Sequence, residues 1–220
     1  MFARVTPLGD RAVLAYLPDE AAAVSFAAAV RAAAFPWVED VVPAYVSVGV
    51  HFDPAKATLS AVRAELAALT VAAADTTAGR AFVIPCCYDF QLDLARVARH
   101  LQLAWEEVVA LHTGFEFRVY AIGFCPGFPY LGYLPPKLCG VPRLPSPRLA
   151  LEPGSVGLTG RQTGLYPLVR PGGWNIIGRT PLQLVNVEVG YFPLQVGDRV
   201  RFRSIGRDEY ESLKGKRLTA

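Results

Sequence analysis

The sequence predicts an α+β protein of two unlike domains, a ferredoxin-like unit first and a small β-barrel or sandwich after it. Three observations carry this. As far as Cys86 the apolar spacing switches repeatedly between strand and helix periods, whereas beyond Gly114 only short strand-like pieces remain, punctuated by Gly and Pro. Charge divides in the same way: residues 1–112 hold 8 basic and 12 acidic side chains, residues 113–220 hold 14 and 7.

The elements follow in order. Arg11 to Leu17 is strand-like, and Asp19 offers an N-cap to the alanine-rich helix ending near Ala34. Val38 to Val42 reads as a second strand. Val46, Val48, Val50 and Phe52 alternate with Tyr45, Ser47, Gly49 and His51, the period-two pattern of a strand with one buried face. Asp53-Pro54 reads as a helix start, with Leu59, Val62, Leu66 and Leu69 along one side. After a loop at Ala72 to Gly79, Arg80 to Cys86 closes a β-α-β-β-α-β unit, which sets the expected domains at 1–88 and 89–220. Asp93 then caps a helix carrying Leu94, Val97 and Leu101, and Trp105 to His112 continues as a second. Phe117 to Ile122, Asn175 to Ile177, Leu182 to Val187 and Arg199 to Arg203 are the strand candidates of the second half, Val196-Gly197-Asp198 is a tight turn, and Gly206 to Ala220 reads as a loosely held tail.

Composition excludes several classes of function. At 220 residues, 52% apolar and 19% charged, the chain buries roughly 70% of its unfolded surface, so it folds. A net charge of +3 is too small to point to nucleic acid. Arg, Asp or Glu interrupts every apolar run before membrane-spanning length, so no membrane is expected. The start, Met1 to Pro7, lacks a basic and then apolar leader, which makes the cytoplasm the expected address. Cys86, Cys87, Cys125 and Cys139 show no C-x2-C spacing, and His51, His100 and His112 are scattered, so no metal site is expected. The thiols read as reduced packing residues, with a nucleophilic Cys125, thirteen positions after His112, as the alternative.

There is no G-x-x-x-x-G-K-[ST] loop, no H-E-x-x-H and no G-x-S-x-G. What remains is Gly123 to Thr180, which holds 11 of the 19 glycines, 10 of the 18 prolines and six basic residues against one acid, Glu152. Gly123-Phe-Cys-Pro-Gly-Phe-Pro-Tyr-Leu-Gly132 interleaves rings with residues that fix or free the backbone, so it is either a pocket wall or a stiffened core loop. Arg143, Arg148, Arg161, Arg170 and Arg179 suit a small anionic ligand, because guanidinium forks match carboxylate and phosphate. Solvated surface arginines are the alternative, since 18 of the 22 basic residues are Arg.

Five blocks in order, Gly123–Gly132, Pro142-Arg143 with Pro147-Arg148, Gly154-Ser-Val-Gly157, Gln162-Thr-Gly-Leu-Tyr-Pro167 and Pro171-Gly-Gly-Trp-Asn-Ile-Ile-Gly-Arg-Thr-Pro181, resemble the allophanate hydrolase subunit 1 family, also called the carboxyltransferase C and D subdomain family. The resemblance covers practically the whole chain. It implies a ferredoxin-like domain followed by a cyclophilin-like β-barrel. It further implies the role of B component in an ATP-dependent 5-oxoprolinase that opens 5-oxo-L-proline to L-glutamate, inactive alone, with ATP as cofactor. The implied partners are a homologous C component, similar to allophanate hydrolase subunit 2, and an A-like third component; the implied substrate is a small anion or amide. The site it implies has Phe124, Pro126, Gly127 and Phe128 as pocket wall, Arg143, Arg148 and Arg179 as anion contacts, and Gln162, Thr163 and Tyr166 as hydrogen-bonding groups. Gly172, Gly173 and Trp174 form a loop facing ligand or partner. His112 and Arg179 are the implied catalytic residues, with His112 moving a proton. Two alternatives belong to the same resemblance: a KipI-like inhibitor docking on a histidine kinase through Phe128, Tyr130, Leu131 and Tyr133, and half of a biotin-dependent carboxyltransferase acting on urea or allophanate.

Overall fold

A computed structural model describes residues 4–71 and 79–220, in two compact units, Met1–Ala78 and Gly79–Ala220. The loop expected at Ala72 to Gly79 lies, apart from Gly79, outside the described residues.

The first unit runs β1 (Arg4–Pro7), β2 (Ala12–Tyr16), α1 (Glu20–Ala32), β3 (Val38–Ala44), β4 (Ser47–Phe52) and α2 (Leu59–Ala68). Its antiparallel sheet has the order β1-β2-β4-β3. Asp19 caps α1 as expected, its carboxylate accepting from the Ala22 amide at 2.8 Å. Helix α2 starts later than Asp53-Pro54 suggests: Asp53 accepts from the Ala55 amide in a turn, and Thr58 is the cap. Val13, Ala15, Val48, Val50 and Phe52 face Phe26, Val30, Val62 and Leu66 in one core. The edge beside β2, expected for Arg80 to Cys86, is taken by β1.

That displaced strand opens the second unit. β5 (Ala81–Cys86) is followed by a 3-10 turn (Tyr88–Phe90), α3 (Leu94–Leu101), α4 (Trp105–Thr113), β6 (Glu116–Ile122), β7 (Pro129–Gly132), β8 (Arg148–Leu151), β9 (Ser155–Thr159), β10 (Gln162–Leu165), β11 (Arg170–Gly172), β12 (Asn175–Arg179), β13 (Arg199–Ser204) and α5 (Arg207–Leu213). Seven strands form one sheet in the order β12-β9-β10-β7-β6-β13-β5. Its two ends meet where Cys87 and Arg179 exchange backbone hydrogen bonds of 2.8 and 3.0 Å, which closes the sheet into a barrel. Phe82 and Ile84 of β5 point inward beside Val200 and Phe202 of β13, so β5 buries its apolar alternation in this barrel. The division therefore falls between Ala78 and Gly79 instead of 88 and 89. Leu94, Val97, Ala98 and Val108 pack α3 and α4 onto the same core.

Two further expectations are corrected. Leu182 to Val187 forms no strand; it is anchored through single bridges such as Gln183 to Arg217. The tail is not loose, because α5 buries Tyr210 and the last turn inserts Leu218, 2% exposed, into the barrel core. The fold class is α+β, a ferredoxin-like unit followed by a cyclophilin-like barrel. Among the described residues no helix is long and apolar enough to cross a membrane.

Candidate functional site

Strand alternation divides the motif blocks between the two faces of the barrel wall. Leu131, Thr163 and Ile177 point inward; Tyr130, Gly164 and Ile176 point outward. On that outer face lies a second, smaller core of Cys125, Phe128, Leu151, Tyr166, Trp174 and Ile176, covered by the two-stranded ribbon β8–β11. Phe128 is its hub, with ring centroids 4.9 Å from Tyr130, 5.1 Å from Tyr166 and 5.6 Å from Trp174, all edge to face. Two glycines permit the closeness. A Cβ on Gly164 would lie 3.0 Å from the Phe128 ring, and one on Gly172 would lie 2.4 Å from the Tyr166 hydroxyl. At the mouth, Phe124 is held in the left-handed region at φ 65° and leaves its ring 57% exposed.

Two cations act on this cluster. Arg143 is exposed, has no ion-pair partner among the described residues, and its charge partly offsets the effect of burial on the phenols of Tyr130 and Tyr166. Burial pushes Tyr166 up to about 12 even so, against a backbone hydrogen bond from Trp174. Arg170 donates to the Val169 carbonyl at 2.8 Å and also hydrogen-bonds the Cys125 sulfur. Burial still raises the Cys125 pKa, so the thiol stays protonated and a poor nucleophile. All four cysteines are free thiols. The arrangement is an aromatic floor with two guanidinium groups beside it, suited to a small planar anion.

Of the residues expected in the site, Phe124, Phe128, Arg143, Tyr166, Gly172, Gly173 and Trp174 belong to this region, with Pro126 exposed on the turn before Phe128 and Gly127 packed towards Val185 and Phe192. The rest go elsewhere. Arg148 is engaged by Asp93 in a bidentate pair of 2.7 and 2.8 Å, and the same carboxylate accepts from the Ile176 amide at 2.8 Å, so Arg148 pins the ribbon to the barrel. Asp93 consequently does not cap α3; Gln91 does, accepting from Leu94. Arg179 sits at the barrel closure over Phe90, 5.7 Å from its centroid, so Arg143, Arg148 and Arg179 do not form one cluster. Gln162 points outward at the far end of β10. Of the expected kinase-docking face, Phe128 and Leu131 are buried, 2% and 0% exposed, and Tyr130 and Tyr133 are half-buried.

His112 is fully buried inside the barrel with both ring nitrogens engaged. Thr163 Oγ1 gives its single hydrogen to the Gly157 carbonyl at 3.0 Å, so it must accept from His112 Nε2–H, also at 3.0 Å. Nδ1 then accepts from the Tyr88 hydroxyl at 2.8 Å. Desolvation lowers the His112 pKa to about 3. His112, expected to move a proton, is thus a neutral imidazole with both nitrogens engaged and no exposed surface, and Thr163, expected as a ligand group, is one of its two partners. Arg170, one of the five arginines expected to suit an anion, and Tyr130, from the expected pocket-wall segment, join the site although the family resemblance gave neither a role there. Their signal was the outward parity of β7 and the proximity of β11 to Cys125, which exists only once the strands are paired.

A family model of the carboxyltransferase domain, subdomain C and D, matches residues 3–190. The chain belongs to this family. Carboxyltransferase C-D relatives include the B subunit of 5-oxoprolinase from Bacillus subtilis strain 168, 35% identical over 96% of both chains, and its counterpart of the same name from Escherichia coli O157:H7, 50% identical over half of each. Among solved structures, TTHA0988 superposes with a TM-score of 0.78 at 36% identity over 89% of this chain; the chain spans 40% of that protein's length. The Kluyveromyces lactis urea amidolyase, at 16% identity and a TM-score of 0.77 over 98% of this chain and 16% of its own, shares the fold.

Proposed function

We propose that this carboxyltransferase C-D protein is the B component of an ATP-dependent 5-oxoprolinase, which opens 5-oxo-L-proline to L-glutamate together with a C-type partner and an A-like component and is inactive alone. One observation carries the reading: near full-length similarity to the B subunit of a 5-oxoprolinase joins an aromatic floor flanked by Arg143 and Arg170. A five-membered lactam carboxylate has a flat ring for such a floor and a planar anion for such guanidinium groups. The exposed Phe124 and half-buried Tyr130 leave the rim of this cluster for a partner protein to cover, which would exclude water from an activated intermediate.

Opening a stable lactam needs activation, which is why the reading includes ATP. The residues of this chain do not by themselves fit a nucleotide: the phosphate loop with its lysine is lacking, and among the described residues no three of His, Cys, Asp and Glu gather to hold a metal ion. ATP therefore belongs, in this reading, to the assembled complex. The test mixes the three purified components with 5-oxoproline and ATP and follows glutamate. Release that requires this chain is the expected result, and undiminished turnover without it ends the proposal.

A further inference from the structure

Arg143 is exposed, and a long, rotamer-rich side chain can be aimed at a ligand only if the backbone beneath it is held. That backbone is a strap, residues 140–147, leading into β8. It is fixed on both sides of Arg143. Upstream, the Val141 carbonyl accepts from the Gly160 amide at 2.7 Å and from Thr159 Oγ1 at 3.2 Å. Downstream, the Leu144 amide donates to the Gly173 carbonyl at 2.7 Å. Between these two clamps the Pro142 carbonyl accepts from Asn175 Nδ2 at 3.0 Å. A peptide group is planar, so the bond to the Pro142 carbonyl also orients the amide nitrogen of Arg143 and the start of its side chain.

Asn175 opens β12, directly after Trp174 of the aromatic floor, and is 0% exposed. Its amide is fully used. One Nδ2 hydrogen goes to Pro142, the other to the Leu158 carbonyl at 3.1 Å, and Oδ1 accepts from Arg96 Nη1. A guanidinium can only donate, so Oδ1 must face Arg96 and the NH₂ group must face the two carbonyls. Arg96 Nη1 also lies 3.4 Å from the Pro142 carbonyl. Through one side chain the strap is thus tied to α3 by Arg96 and to β9 by Leu158. No other residue type of this size offers two donors and an acceptor. Aspartate would keep the shape and the acceptor for Arg96 and leave both carbonyls without a hydrogen. We infer that Asn175 is a positioning residue for Arg143, a role that rests on the proposed reading of Arg143 as a contact for the substrate carboxylate. Being buried, Asn175 acts through the strap and touches no ligand itself.

Two measurements test this, and the first needs neither substrate nor partners. Trypsin cleaves after arginine, so limited proteolysis of the full chain, with the fragments weighed by mass spectrometry, reads how often the strap opens at Arg143. Nicking there should be faster on the order of tenfold in Asn175→Asp. Ile177→Val, which takes a methylene from the barrel core without touching the strap, should leave it unchanged. The second is steady-state turnover by the three-component complex. Asn175→Asp should raise the KM for 5-oxoproline on the order of tenfold and move kcat by less than about twofold, and it should add little in a chain that already carries Arg143→Gln. A general structural defect would lower activity equally in both backgrounds. Asn175→Ser, which buries no carboxylate, should shift both readouts in the same direction, and it decides the test if the aspartate variant does not fold. Unchanged nicking after Arg143, or an equal loss of turnover with and without Arg143, overturns the inference. Turnover that requires this chain but ignores Arg143→Gln refutes the reading of Arg143 as an anion contact, whereas sensitivity to Arg143→Gln with indifference to Asn175→Asp refutes the positioning role alone.

Discussion

The inner and outer faces of one barrel wall use neighbouring residues of the same motif blocks in opposite ways. Inside, Tyr88, His112, Thr163 and the Gly157 carbonyl form a chain in which every hydrogen has an acceptor. Outside, one residue away along the strands, Tyr130 and Trp174 floor a cluster with Phe124 exposed and Arg143 unpaired among the described residues. The lesson is that membership of a motif does not separate scaffold from site. The state of the polar groups does: a closed network specifies a core, whereas a cation without an ion-pair partner among the described residues, beside the exposed Phe124 ring, awaits a ligand.

The largest effect should come from acid. His112 titrates at about 3 in the native protein and near 6.5 when unfolded, so the unfolded chain binds the extra proton first. Stability from this group is complete above about pH 6.5 and falls as the pH drops towards 3, by about 1.4 kcal/mol per pH unit. Urea titrations across that range check it, and His112→Asn should flatten the slope. If the two slopes coincide, the inner face is not the closed core described here.

Next in size is the link between the faces. Asp93→Asn weakens the hold on Arg148, and we expect a loss of about 2 kcal/mol by denaturant unfolding, below the figure for fully buried pairs because Arg148 is 31% exposed. Gly172→Ala drives a Cβ into the Tyr166 hydroxyl and should cost about 1–3 kcal/mol while lifting the ribbon off the aromatic floor. Loss of near-ultraviolet aromatic dichroism would mark that movement. Smallest for stability, and the sharpest test of the comparison, is Arg143→Gln. Unfolding should move by less than about 0.5 kcal/mol, whereas glutamate release by the reconstituted complex should fall on the order of tenfold. A variant that unfolds easily, or one that turns over normally, would place Arg143 on the wrong side of the division.

Much of the fold was legible because local periodicity is physical. The alternation of Val48, Val50 and Phe52, the Asp19 cap and the turn-rich second half all reappear in the structure. What period two cannot state is which sheet receives a strand. Phe82 and Ile84 would suit either unit, and only pairing with β13 decides it. β1, four residues ending in Pro7, is too short to announce itself. The candidate site was legible as a set of blocks but not as a constellation. Arg179 and Asn175 are four residues apart on β12, roughly 13 Å along a strand, so the Asn175 end adjoins the Arg143 loop through the Pro142 carbonyl while Arg179 reaches the barrel seam. The proton-transfer role of His112 came from the family resemblance; the structure engages its ring nitrogens with Tyr88 and Thr163, 24 and 51 positions away, contacts that no local pattern shows.

The parallel pairing of β13 with β5 joins Arg199 to Ala81, so the barrel's edge strand waits for a partner made near the end of translation. Until Ser204 and then Leu218 clear the ribosome, β5 presents an unpaired, apolar edge, and the nascent barrel is open at the position where sheets most readily recruit foreign strands. Contacts this distant in sequence also slow folding, because the loop must close before they repay its entropy. Chains truncated before β13 should therefore be aggregation-prone instead of merely less stable, while the first unit, whose sheet is complete by Phe52, has all its strands early in synthesis.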